Sequence, residues 1–130
     1  MTILPVWDND KKTILRYVHY GTWTWDELDQ AVERAQAMFK SVRHHVDVII
    51  DLRESGMLPD NAYARPRRPV LLAGSANNLL VVLGPTGLAQ NYYETARKLY
   101  MDARDRDNLA YASILDDARS LLHSPATMRV

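Results

Sequence analysis

A chain of 130 residues, 47% of them hydrophobic and 25% charged, is long enough to bury one core without covalent help. Sixteen basic residues balance sixteen acidic ones, which argues against the global positive field of nonspecific nucleic-acid binders, and the lack of cysteine excludes disulfides, thiolate metal sites and a cysteine nucleophile. The N-terminus has no basic region followed by a long apolar one, and no apolar run approaches the ~20 residues of a membrane span, so a cytoplasmic location is expected.

The first element is a short apolar strand, Ile3 to Val6, followed by the turn-forming Asp8-Asn9-Asp10-Lys11. A hairpin follows, with a second arm from Thr13 to Tyr20 that Gly21 ends. In this arm apolar or aromatic residues occupy both alternating sets, Ile14, Val18 and Tyr20 against Leu15 and Tyr17, so both faces should be at least partly covered. Thr24-Trp25-Asp26-Glu27 has capping-box spacing and opens a helix whose Trp25, Leu28, Val32, Ala35, Phe39 and Val42 share one stripe. Acidic residues at its start and Lys40 and Arg43 at its end suit the helix dipole.

The β-branched run Val46 to Leu52 reads as the central strand, with Val46, Val48, Ile50 and Leu52 on its drier face and Asp47, Ile49 and Asp51 on the other. The loop from Asp51 to Pro59 then lies at the carboxyl end of a parallel strand, where ligands and partners dock in open α/β sheets. Beyond it, Pro66 and Pro69 predict short, broken helical turns. Gly74 to Asn78 is a loop, and Leu79 to Leu83 is a buried strand closed by Gly84-Pro85-Thr86-Gly87. A helix from about Leu88 to Ala103 carries Leu88, Tyr92, Ala96, Leu99 and Ala103 inward, with Tyr93 and Tyr100 beside that stripe. Leu109 to Ala112 is a last strand, Ser113 to Asp116 a cap, and Ala118, Leu121 and Leu122 mark a closing helix. The whole predicts a single α/β domain over 1–123 with a tail over 124–130. Its mixed, mostly parallel sheet has about five strands and is accompanied by about four helices.

The opening hairpin, the lead-in Gly21-Thr22-Trp23-Thr24-Trp25-Asp26-Glu27-Leu28, the strand ending in Asp51 and the closing Ser113 to Leu122 resemble the STAS-like group, related to sulfate-transporter and anti-sigma-factor-antagonist domains. The resemblance implies that fold and a regulatory, non-enzymatic role. In the antagonists an Asp-Ser-Ser-Gly-like motif follows the central strand and is phosphorylated. Here Asp51-Leu52-Arg53-Glu54-Ser55-Gly56 matches it only at Ser55-Gly56. With Glu54 adding like charge, Ser55 is expected to be an exposed loop residue without a phosphorylation role, and Ser55→Ala to be nearly neutral.

Several residue groups bear on function. Asp51 either orients a partner or caps loop N–H groups. Arg53, Arg65, Arg67 and Arg68 either gather into an anion site or form a solvated face, and twelve of the sixteen cations being Arg favours planar, paired contacts. Gly84-Pro85-Thr86-Gly87 lacks the Lys-Ser/Thr of a phosphate loop and reads as a turn. His19, His44, His45 and His123 show no metal-ligand spacing, and no nucleophile, base and acid set is legible, so neither a metal, a cofactor nor an enzymatic activity is expected. Trp23 and Trp25 should pack as a staple across the helix start. Tyr93 and Tyr100 are candidates for a homodimer contact. The resulting expectation is a module that binds a protein partner through Asp51, Arg53, Ser55, Met57, Tyr63, Arg65, Arg67 and Arg68. Its alternative is a carrier in which Met57, Leu58, Tyr63 and the Arg group line a pocket for a small apolar or anionic ligand.

Overall fold

In the computed structural model, which describes residues 2–57, 79–99 and 109–123, the hairpin turn sets the register of the first strand pair. Asn9 Oδ1 accepts the Thr13 backbone N–H at 3.0 Å, Lys12 takes the left-handed conformation at φ +58°, and Asp8 N–H closes on the Ile14 carbonyl at 2.9 Å. This turn joins β1 (Ile3–Trp7) to β2 (Ile14–Gly21), antiparallel, with Leu4 opposite Val18. Pro5, which lacks an N–H, sits on this outermost strand, where proline is tolerated and blunts further pairing.

The sheet order is β1-β2-β3-β4-β5, and every pair after the hairpin is parallel. The remaining strands are β3 (Asp47–Ser55), β4 (Leu80–Leu83) and β5 (Leu109–Ala112); the helices are α1 (Trp25–Lys40), α2 (Thr86–Leu99) and α3 (Leu115–His123). Helix α1 begins with the expected capping box: Thr24 Oγ1 accepts from Glu27 N–H at 3.1 Å and Glu27 returns to Thr24 N–H at 3.0 Å. Of its expected stripe, all but Trp25, whose side chain lies outside the described residues, face the core, and Ala31 joins them. Leu28, Ala31, Val32 and Ala35 are buried, while Phe39 and Val42 pack at the margin.

Two cores result, one on each face of the sheet. On the first, α1 and α2 (Ala89, Tyr92) cover Leu15, Tyr17, Val48, Ile50, Leu52, Leu80 and Val82. The crossovers containing α1 and α2 both advance along the sheet in one direction, so crossovers of one hand place both helices on one face. On the second face, Ala118 and Leu122 of α3 pack on Ile14, Ile49, Val81, Leu83 and Ala112. Both faces of β2 are therefore covered, as its two apolar sets predict.

Some boundaries differ from the sequence reading. Helix α2 starts at Thr86 rather than Leu88, and among the described residues there are three helices. The broken turns expected after Pro59 and the 124–130 tail lie outside the described residues. The larger difference is β3, which does not stop at Leu52 but continues to Ser55, because β2 runs on beside it to Gly21. Asp51 is consequently a mid-strand residue, not the start of a loop. The non-aliphatic face of β3 is also not wet. Asp47 and Asp51 are buried there beside Ile49, because each carboxylate is matched by donors: Asp47 by Leu79 N–H at 2.9 Å, Asp51 by two arginines.

Candidate functional site

The pairing of β2 with β3 slips between Val18 and Tyr20, so that Val18 faces Asp51 but Tyr20 faces Glu54. An extra residue on β3 makes this a bulge, and bulges re-aim side chains. At the slip, Asp51 Oδ1 accepts the Arg53 backbone N–H at 3.1 Å, a local carboxylate in place of a ladder carbonyl. The same carboxylate holds the Arg53 side chain in a two-pronged pair, Nε to Oδ1 at 3.0 Å and Nη2 to Oδ2 at 2.8 Å. From β2, Arg16 Nη1 reaches Asp51 Oδ2 at 2.8 Å, and its Nε reaches Asp8 Oδ1 at 3.1 Å. Arg119 of α3 completes the chain with a second two-pronged pair to Asp8, Nε to Oδ2 at 2.9 Å and Nη2 to Oδ1 at 3.0 Å.

Five alternating charges, Arg119, Asp8, Arg16, Asp51 and Arg53, thus run across the second face and tie α3, the hairpin turn and the central strands together. Burial pushes the carboxyls of Asp8 and Asp51 up, but hydrogen bonds from the guanidiniums outweigh it and hold both below the usual carboxylate range. Both oxygens of Asp51 are occupied by donors, so this carboxylate is not poised as a general base. Glu54 and Asp116 add their fields at Arg53 and Arg119. Three guanidiniums then face four carboxylates, which leaves no positive surplus for an anion at the described part of the site.

On the first face, the end of β3 is held by Trp23. Its indole N–H donates to Ser55 Oγ at 2.8 Å, and Ser55 Oγ donates in turn to the Gly56 carbonyl at 2.8 Å. Ser55 is therefore a half-buried strand residue whose hydroxyl is used structurally, not the exposed loop hydroxyl its turn-like context suggests. Trp23 packs on the buried His19 ring, centroids 4.7 Å apart and edge-on, with Tyr92 beyond. It packs inward on the sheet, whereas the side chain of Trp25, its expected staple partner, lies outside the described residues. Burial pushes the His19 imidazole down to about 4, and the Tyr17 carbonyl lies 2.9 Å from its Nδ1.

Of the predicted site residues, Asp51, Arg53, Ser55 and Met57 lie along one strand end. Arg53 is about 40% exposed and Met57 88%. Leu58, Tyr63, Arg65, Arg67, Arg68 and Tyr100 lie outside the described residues. Tyr93 is half-buried, its ring edge-on to Tyr111 at 5.0 Å. His44 Nε2 sits 2.8 Å from the Lys12 carbonyl and His45 3.5 Å from Asp47, at separate places. Asp8, Arg16 and Arg119 were not anticipated. Arg16 alone left a signal, as the one charge within the apolar set Ile14, Val18 and Tyr20.

Among the described residues no helix is long and apolar enough to cross a membrane. Compared with known proteins, the chain matches no family model, no curated protein and no solved structure.

Proposed function

We propose that this chain is a non-enzymatic regulatory or scaffolding module of STAS-like type, acting in the cytoplasm, that binds a protein partner at the carboxyl end of β3. The observation that carries the reading is the overshoot of β3 past its neighbour. Pairing with β4 ends at Asp51 opposite Leu83, while β3 continues to Ser55 with β2 as its only strand partner among the described residues. Arg53, Glu54 and Met57 are thereby presented on a backbone fixed by Asp51 on one face and Trp23 on the other. A mixed apolar and charged projection on a fixed backbone suits protein recognition because little backbone entropy remains to be lost on docking. Arginine and methionine are also among the residues enriched at protein interfaces. The engaged state of Asp51 and Ser55 supports a binding role over a catalytic one.

Site-specific photo-crosslinking in the native cells tests the reading. A crosslinker at position 57 is expected to yield one protein adduct of defined mass, which Arg53→Glu abolishes and which a crosslinker at Glu33, exposed on α1, does not give. The reading fails if position 57 gives no adduct beyond that seen at position 33.

A further inference from the structure

A cavity of about 540 Å³ opens at the carboxyl ends of β4 and β5, on the same edge of the sheet as the β3 projection. Its described lining is Thr86 at the start of α2, Tyr111 and Ala112 at the end of β5, Ser113, and Asp117, Ser120 and Leu121 of α3. Asp117, Ser120 and Leu121 are spaced three and four apart, which puts them on one face of α3. The place is where open α/β sheets receive ligands, and the volume is that of a small-molecule site.

The lining chemistry narrows the ligand. The polar groups are four hydroxyls, of Thr86, Tyr111, Ser113 and Ser120, and a single carboxylate; no lysine or arginine is among the described lining residues. Against the described lining, an anionic ligand would meet Asp117 without a cation among those residues to offset it. A purely apolar ligand would strip water from five polar groups without replacing their hydrogen bonds. One carboxylate falls well short of the oxygen shell that a hard metal ion needs, and the described residues hold no group of three or more metal-binding side chains. A neutral polyhydroxylated molecule satisfies all of these. Hydroxyl lining groups both donate and accept, a carboxylate accepts two neighbouring hydroxyls at once, and an aromatic ring covers the C–H face of such a molecule. Tyr111 supplies the ring. It is 41% exposed, and its ring meets that of Tyr93 edge-on with centroids 5.0 Å apart.

We propose that this cavity binds a neutral polyhydroxylated ligand of monosaccharide size, with Asp117 as the principal acceptor and Tyr111 as the stacking surface. The site is independent of the partner-binding reading and stands or falls separately.

The test is amide NMR of the full chain titrated with D-glucose and with myo-inositol. At least one is expected to produce saturable shifts confined to Thr86–Gly87, Tyr111–Ser113 and Asp117–Leu121, little altered by added sodium chloride. Asp117→Asn, nearly isosteric, is expected to weaken binding about tenfold, through loss of a charged acceptor. Tyr111→Ala should weaken it comparably, and Glu33→Gln on α1 should not change it, with each variant's own spectrum confirming its fold. The proposal is overturned if neither compound shifts these residues at tens of millimolar, or if Asp117→Asn and Tyr111→Ala both bind as the parent does. It is equally overturned if tetramethylammonium chloride, and neither polyol, produces the shifts in a salt-sensitive way, which would make the site one for an organic cation.

Discussion

Arg16 and Asp51 meet at 2.8 Å across adjacent parallel strands, diagonal to one another, since Arg16 itself faces Ile49 and Asp51 faces Val18. Arg16 also holds Asp8, so one guanidinium serves two carboxylates whose side chains are almost fully buried. Such a group contributes through what its loss leaves behind: two charges desolvated and short of a donor. Arg16→Met, which keeps the length of the stem, is expected to cost about 2 kcal/mol, less than a fully buried pair because Arg53 and Arg119 remain and Arg16 is partly exposed. Urea denaturation measures it; a loss within ~0.5 kcal/mol would make the network incidental to stability.

Ser55→Ala is expected to destabilise by about 1 kcal/mol, since it deletes the hydroxyl that accepts from the buried Trp23 indole. Ser55→Asp should cost more. Its carboxylate still accepts from the indole but cannot donate to the Gly56 carbonyl, and it stands near Glu54. Equal stability of parent and Ser55→Ala in urea would show that the indole bond contributes nothing net.

Acid sensitivity should appear in two stages. The folded pKa of His19 is about 4, below its ordinary 6.5, because burial favours the neutral ring. The unfolded chain therefore binds a proton that the fold refuses, and stability falls as pH drops from ~6.5 towards ~4, by up to ~3 kcal/mol. Asp8 and Asp51 have folded pKa values below the ordinary carboxylate value, so their contribution is present above that value and is lost as pH falls further. His19→Phe is expected to flatten the first stage and leave the second. Unfolding midpoints measured at about pH 7.5, 5.5, 4 and 3 decide it, and an unchanged slope between ~6.5 and ~4 in the variant would remove His19 as the cause.

Two glycines at the turn between β4 and α2 should respond oppositely to alanine. A Cβ on Gly84 would lie 3.0 Å from Leu52 Cβ and 3.4 Å from the Leu52 carbonyl carbon, forcing the β3–β4 junction apart. Gly84→Ala is expected to cost about 1 to 3 kcal/mol. Gly87, in the first turn of α2, has no atom of the described residues within 4 Å of its added Cβ, and Gly87→Ala should stabilise by about 0.5 to 1 kcal/mol. Thermal melts of both variants check the pair, and destabilisation by Gly87→Ala would contradict the open surroundings of that position.

What the sequence alone determined is what depends on near neighbours. The capping box at Thr24, the inward stripe of Leu28, Val32 and Ala35, the alternation along β2 and the order of strands and helices follow from spacings of two, three and four residues, which local backbone geometry translates directly. Tertiary structure alone decided where β3 ends and which charges meet. Ser55 belongs to the strand because Gly21, more than thirty positions earlier, pairs with it, and Gly21 itself turns at φ +54° to let the Gly56 N–H reach its carbonyl at 2.8 Å. Arg16 and Asp51 meet through strand register, and Asp8 and Arg119 through the docking of α3 across the hairpin. Arg16 in β2 and Asp51 in β3 are visible in the sequence as opposite charges, but pairing them requires the β2–β3 register, which a crossover through α1 leaves to packing between distant parts of the chain.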